Sequence, residues 1–522
     1  MLTSHYKCYN VFMTTTLSSH TRYALHITLA ACAVALLPRA LLAAELIVAK
    51  SGGMYTSIQA ALNNAYAGDT VTVRVGTYDE RLVFPRSGNA SQGPIVLRAF
   101  PGEAVFLNGR NQSNNSSPHM ILGYQVSYIE IHGLHICSNK ATNTKGGSAI
   151  MFEGGGPHLR IISNTIYWIR GTHGMGISIY GTESTPYSDV IIAYNEIRDC
   201  EPATSEALTL NGNVDGFLIL SNYVHDVNNI GICMIGGESD IHPTRGARNG
   251  VCRGNRVVRA RSSYGGGYGA GIYSDGGQNI IIERNVVTES DLGMELGAEN
   301  SGWISSNIIA RNNLLYHNDK IGLGIGGYDS NRGRVIHCQI LNNTIARNNR
   351  LGLGANDFHG EFVIAYARSN IFENNLIIVD ELGDKRVINE EAAGNIFNRF
   401  NYNLYYSSAA ASTLKFFWNN TSYNGFTAYT NAPSTGDKLS LYADPLCAAP
   451  ASANFRLHDD SPAIDHANPA YLPPPDVLDL DGAPRLIGGR VDIGAYEFIP
   501  EPALPIAFLL LITRVLKITA TS

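Results

Sequence analysis

The sequence predicts an all-β chain wound as a right-handed parallel β-helix of about 12 coils, with a short N-terminal capping helix and an irregular C-terminal cap. Two observations lead there. Between Leu159 and Ile377 one phrase returns, in which apolar residues run up to an Asn and a β-branched or aliphatic residue soon follows. Its copies centre on Asn164, Asn195, Asn222, Asn255, Asn285, Asn313, Asn343 and Asn375, spaced 27 to 33 residues apart. After most copies comes a second strand signal of period two, such as Ala207-Leu208-Thr209-Leu210, Gly231-Ile232-Cys233-Met234 and Gly293-Met294-Glu295-Leu296. Within this stretch no segment keeps a helical period, and a propeller blade needs about 40 to 50 residues, so each repeat reads as one coil.

The elements follow in order. Residues 1–44 read as a signal peptide: Arg22 precedes an apolar run from Tyr23 to Leu37, and Ala43 and Ala44 offer a cleavage point before Glu45. Met13 is an alternative start. Pro38-Arg39 breaks the run, which is short for a span, so no stable membrane span is expected after cleavage. The mature chain is expected to be secreted, periplasmic or at the cell surface. The coils occupy 45–440. They open with a helix after Thr56 as N-cap, with Ile58, Ala61, Leu62 and Ala65 on one stripe over the first coil. The recurring Asn is expected in left-handed backbone geometry at one corner, its amide bonding the coils above and below. Residues 441–498 are expected to cap the last coil, and 499–522 form an apolar tail.

Composition narrows the partners. A net charge of -6 argues against nucleic acid. Six cysteines remain after cleavage, none in a metal-binding pattern. A monomer is the expected state.

The stretch Gly76-Thr77-Tyr78-Asp79-Glu80, followed by Pro94 through Glu103, resembles the opening of the pectin-lyase-like superfamily. The run from Asp444-Pro445 to Val491-Asp492-Ile493-Gly494-Ala495-Tyr496-Glu497 resembles a tail common to secreted β-helix proteins. The resemblance spans roughly 45–498 and implies the coil fold. That superfamily includes polysaccharide lyases, hydrolases, epimerases and non-enzymes. Pro500-Glu501-Pro502 with Arg514 and Lys517 resembles a PEP-CTERM sorting tail.

Aligning the second strands by their inward pairs places Thr209, Cys233, Tyr273, Glu295 and Gly324 in one outward column, and Asn211, Ile235, Asp275, Gly297 and Gly326 in the next. Glu206, Glu238 and Glu299 lie just beside these strands. Oxygens so gathered suit Ca²⁺, with Glu206, Glu238 and Glu299 as ligands. Asp275 and Glu295 are one coil and two residues apart, roughly 8 Å between backbones, which suits the two carboxyls of an inverting glycoside hydrolase. Arg245 and Arg248 on a flanking loop could neutralise a uronate during β-elimination. Tyr273, Tyr264, His173, Tyr328 and Asn211 are the expected substrate contacts. A Lys–Arg lyase mechanism would rest on Lys145 or Lys320, and the Glu-x-Glu and Asn-Lys-Ser pattern of such lyases is absent. The leading expectation is a lyase acting on an acidic polysaccharide. The alternatives are that hydrolase and a non-catalytic carbohydrate-binding protein.

Overall fold

The computed structural model describes residues 43–500, apart from 111–117, 142–146, 172, 265, 328, 356, 380–381 and 391–394. The signal segment and the apolar tail therefore lie almost wholly outside the described residues, as do Lys145 and Tyr328.

From Glu45 the chain winds as the expected right-handed parallel β-helix. Each coil lays one strand on each of three faces. The first face is a 16-stranded sheet whose main path runs from Glu45–Val48 to Arg399–Asn401. The second is a 13-stranded sheet from Gly76–Tyr78 to Leu441–Tyr442, and the third a 13-stranded sheet from Leu82–Val83 to Thr421–Asn424. Neighbouring strands are parallel until the final hairpin, where Lys415–Trp418 meets Thr421–Asn424 antiparallel. Inward residues stack in register, as Ile131, Ile161, Ile192 and Ile219 do on the first face. The last three are 0–1% exposed, so the core is a column of aliphatic side chains.

The asparagines lie between the first and second faces and form an unbroken internal ladder. Each Oδ1 accepts both the backbone N–H and the Nδ2 of the asparagine one coil earlier; Asn164 donates both to Asn195 at 2.9 and 3.0 Å. The series runs through Asn222, Asn255, Asn285, Asn313, Asn343 and Asn375 to Asn403, whose N–H ends on Ser440 Oγ. The left-handed residue is the one before the Asn: Ser163, Tyr194, Ser221 and Arg284 have φ of 52–57°. The expectation that the Asn itself is left-handed is corrected. The preceding residue turns the corner, and the turn aims the Asn inward, where an amide can bond in both directions along the stack.

The capping helix is present as Ile58–Asn64, but its N-cap is Ser57 rather than Thr56. The Glu80 carboxylate accepts the Ile58 and Gln59 N–H groups at 2.9 Å, satisfying first-turn donors that the helix leaves open. All six cysteines from Cys137 onward are free.

The C-terminal segment departs from expectation in place rather than in character. The far end of the coil stack is closed by the 415–424 hairpin and the helix Phe426–Asn431, with Phe416 stacked on Tyr429 and Trp418 edge-on to Phe400. Residues 454–498 run instead along the outside of the second face. There Phe455, Ala463, Val491, Ile493 and Ala495 pack on Leu314, Ala346, Leu376 and Leu404. This strap has little regular structure, so buried carboxylates take up its backbone donors. Asp492 accepts the N–H groups of Asp465 and Phe498, and Asp479 those of Ala483 and Glu497. Wholly buried Arg485 donates to the carbonyls of Asp492 and Gly494.

Candidate functional site

The site is built on the outer surface of the third face, across Glu206–Gly212, Ile230–Ile235, Ala270–Asp275, Leu292–Ala298, Ile321–Gly327 and Gly360–Ala365. The register aligns Thr209, Cys233, Tyr273, Glu295 and Gly324 in one row and Asn211, Ile235, Asp275, Gly297 and Gly326 in the next, the two columns read from the sequence. These rows are not an open surface. Cys233, Ile235, Tyr273, Leu292, Ile321 and Val363 form a second apolar cluster outside the main core. Of these, Tyr273, Leu292, Ile321 and Val363 floor a cleft of about 670 Å³ whose walls include Tyr264, Tyr268, Glu295, Glu299, Arg332 and Phe358.

Glycine makes this floor possible. A Cβ at Gly297 would come within 2.6 Å of the Tyr273 hydroxyl, so the Tyr273 ring lies flat only because Gly297 is bare. Beside the cleft, Trp303 lies over Gly236, Gly237 and Gly276 and donates its Nε1–H to the Gly276 carbonyl at 2.8 Å. No sequence signal marks this seat, because Asp275-Gly276-Gly277 reads as an ordinary turn.

The acidic residues gather as expected, and their electrostatics follow from that. Burial pushes Glu295 up to about 8, reinforced by the charges of Glu299 and Asp275. Burial also pushes Asp275 up to about 8, with Glu299 the next cause, and Glu206 to about 8, with Glu238 and Asp275 behind it. Their positions differ, however. Asp275 is only 6% exposed and does not line the cleft; its Oδ1 accepts the backbone N–H of Glu299 at 2.8 Å. Glu295 is half-buried in the wall, and Glu299 is exposed at the rim, where the Tyr273 hydroxyl donates to its Oε1 at 3.0 Å. The expected pairing of Asp275 with Glu295 is therefore corrected: Glu295 and Glu299 face the cleft, and Asp275 supports Glu299 from behind.

The expected cations are elsewhere. Arg248 pairs with Asp215 at 2.9 Å and donates to the Gly246 carbonyl and Asn213 Oδ1, at the corner leading to the first face. Arg245 is exposed and forms no ion pair among the described residues. The guanidinium on the cleft wall is that of Arg332, which the sequence reading missed; it donates to the Glu299 carbonyl at 3.1 Å. Tyr264 stands at the mouth, its hydroxyl accepting from Asn229 Nδ2 at 3.2 Å. Asn211 is buried and donates to Glu238 Oε2 at 2.7 Å, and His173 meets Thr204 Oγ1 at 3.0 Å; neither lines the cleft. No three of Glu206, Glu238, Asp275, Glu295 and Glu299 bring oxygens within 4.8 Å of one another. Among the described residues only the exposed group His458, Asp459 and Asp460 does so. Glu206, Glu238 and Glu299 as placed do not form the chelating set expected for Ca²⁺.

No family model matches the chain. Over 427 residues it is 33% identical to the uncharacterized protein YwoF of Bacillus subtilis (strain 168), an alignment covering 78% of this chain and 88% of that protein. The chain belongs to the YwoF family. The similarity to YwoF establishes kinship and leaves the reaction to be read from the cleft. Among solved structures, pectate lyase Pel9A matches at 13% identity and TM-score 0.45, covering 88% of this chain and 98% of that one. The A-module of the Azotobacter vinelandii mannuronan C-5 epimerase AlgE6 matches at 13% identity and TM-score 0.48, covering 74% and 94%. A GH136 lacto-N-biosidase from Eubacterium ramulus matches at 13% identity and TM-score 0.44, covering 70% and 64%.

Proposed function

We propose that the protein hydrolyses glycosidic bonds of a polysaccharide bound along the third face, with Glu295 as proton donor and Glu299 as its carboxylate partner. The observation that carries this is a carboxyl raised to about 8 in the wall of a cleft rich in aromatic rings. Such an acid still holds its proton near neutral pH and can pass it to a leaving oxygen. As the bond between the anomeric carbon and the glycosidic oxygen breaks, its electron pair goes to that oxygen, which takes the proton from Glu295. Water attacks the anomeric carbon and gives its proton to Glu299. Tyr273 orients the Glu299 carboxylate and Asp275 fixes its backbone. Tyr264, Tyr268 and Phe358 offer faces for sugar rings.

The elimination reading has less support. It requires positive charge beside a substrate carboxylate, whereas Arg245 and Arg248 are not on the cleft wall, and the Arg332 guanidinium that is there donates to the Glu299 carbonyl and faces Asp329 at 3.7 Å, among the three acids Glu295, Glu299 and Asp329. A uronate would be repelled, so the substrate is expected to be neutral at the scissile unit. The test is incubation with neutral and uronate glycans, reading reducing ends and the absorbance of unsaturated products. Reducing ends without that absorbance, with kcat about 10²- to 10⁴-fold lower in Glu295→Gln, are the expected result. Unsaturated products, or full activity in Glu295→Gln, would overturn the assignment.

A further inference from the structure

Away from the acidic cleft, the corner between the second and third faces carries opposite charge over the early coils. Arg110, Lys140 and Arg170 follow one another on three successive coils, and Lys140 pairs directly with Arg170 in the short parallel ladder of Lys140–Ala141 with Arg170–Gly171. With Ser138, Asn139 and Trp168 they surround a cavity of about 510 Å³. The three cationic side chains are exposed. Among the described residues Lys140 and the Arg110 guanidinium have no ion-pair partner, and Arg170 lies 3.6 Å from a Glu201 oxygen.

The floor is fixed. Asn139 is wholly buried, its Oδ1 accepts from Arg81 at 2.8 Å, and its Nδ2 donates to the carbonyls of Pro118 and Gly147. The wall is aromatic. Trp168 holds the left-handed corner position at φ 56°, which throws its indole outward; it is 44% exposed and braced edge-on by Tyr167. Stacked like charges about 4.8 Å apart repel one another, a cost that an anion bridging adjacent coils would relieve. An exposed indole beside them offers a flat apolar face to a sugar ring.

We propose that Arg110, Lys140, Arg170 and Trp168 form a second carbohydrate site that binds an acidic oligosaccharide, the cations taking its carboxylate or sulfate groups and the indole stacking on a ring. The site stands apart from the reaction in the cleft and does not depend on its assignment. Arginine meets planar oxyanions in a forked geometry, whereas lysine supplies a point charge, so carboxylate and sulfate are both accommodated.

The test is calorimetric titration of the full mature chain with a galacturonate tetrasaccharide, a sulfated tetrasaccharide, a neutral xylotetraose, inorganic sulfate and oligothymidylate. One or both acidic tetrasaccharides are expected to bind, more weakly as salt rises, and at least about tenfold tighter than xylotetraose or sulfate alone. Which of the two binds identifies the anion. Lys140→Ala with Arg170→Ala, and separately Trp168→Ala, should each weaken binding about tenfold at an unchanged melting temperature, while Lys140→Arg retains it. Binding that survives both variants, binding of xylotetraose or oligothymidylate as tight as that of the acidic sugars, or no binding of either acidic sugar would overturn the proposal.

Discussion

Asp275 sits one row behind the cleft wall, and that row decides what it can do. Enclosed among Glu299, Glu238 and a wholly buried side of the solenoid, it does not reach a ligand in the cleft; it accepts the Glu299 N–H. Its raised pKa has a consequence for stability. A carboxyl whose pKa rises on folding contributes stability in full below its unfolded value near 4 and loses it as pH climbs through about 8. Glu206 and Glu295 act in the same sense over the same window. The melting temperature is therefore expected to fall between pH 5 and pH 8. Asp275→Asn keeps an oxygen for the Glu299 N–H while removing the charge, so it should recover about 1–2 kcal/mol at pH 8 and little at pH 5, as read from thermal unfolding at the two values. Activity should decline above pH 8 as Glu295 loses the proton it donates. The alignment of Tyr273 with Glu295 and Asp275 with Gly297 was legible in the sequence, because period-two alternation fixes which residues share a row. Which row lines the cleft was not, since that depends on loops such as the one carrying Trp303, whose glycine seat looks like a turn.

Among the elements, the asparagine ladder is the most regular and the most exposed to a single change. Asn255 Oδ1 accepts both the N–H and the Nδ2 of Asn222, while its own Nδ2 donates to the Ile219 carbonyl at 2.9 Å. Asn255→Ala strands the Asn222 N–H and the Ile219 carbonyl in the core, and should cost about 2–4 kcal/mol in urea unfolding. Ser440→Ala at the end of the ladder removes one acceptor, for the Asn403 N–H, and should cost about 1–2 kcal/mol. The spacing of the asparagines announced the ladder. Their backbone geometry was misjudged by one residue, because the left-handed turn before the Asn is taken by Gly or Asn at 254, 312, 342 and 374 but by Ser163, Tyr194, Ser221 and Arg284 in other coils, so no single residue type marks it.

At the scale of the whole molecule, the second face changes character along its length. Its outward row reads Phe106, His135, Thr165, Glu196, Tyr223 and Arg256, then Val286, Leu314, Thr344, Leu376 and Leu404. The switch from polar to apolar marks where the strap lies, and was present in the sequence as a row that nothing in the coils could cover. Sequence position alone points elsewhere, because a terminal segment suggests an end cap. A chain stopped after residue 442 should expose Leu314, Leu376 and Leu404, bind a hydrophobic dye strongly and aggregate, and the intact chain should do neither.

The strap also couples coils that would otherwise touch only their neighbours. Its backbone meets Asn312 through the Leu478 carbonyl, Asn342 through that of Asp492, and Asn374 through the Asn468 N–H. Pulled from its two ends, a plain solenoid unzips turn after turn as a string of small force peaks. Here the turns before Arg256 are free to peel in that way, while those between Asn312 and Asn374 are stitched into one block that should let go together, in a single larger rupture.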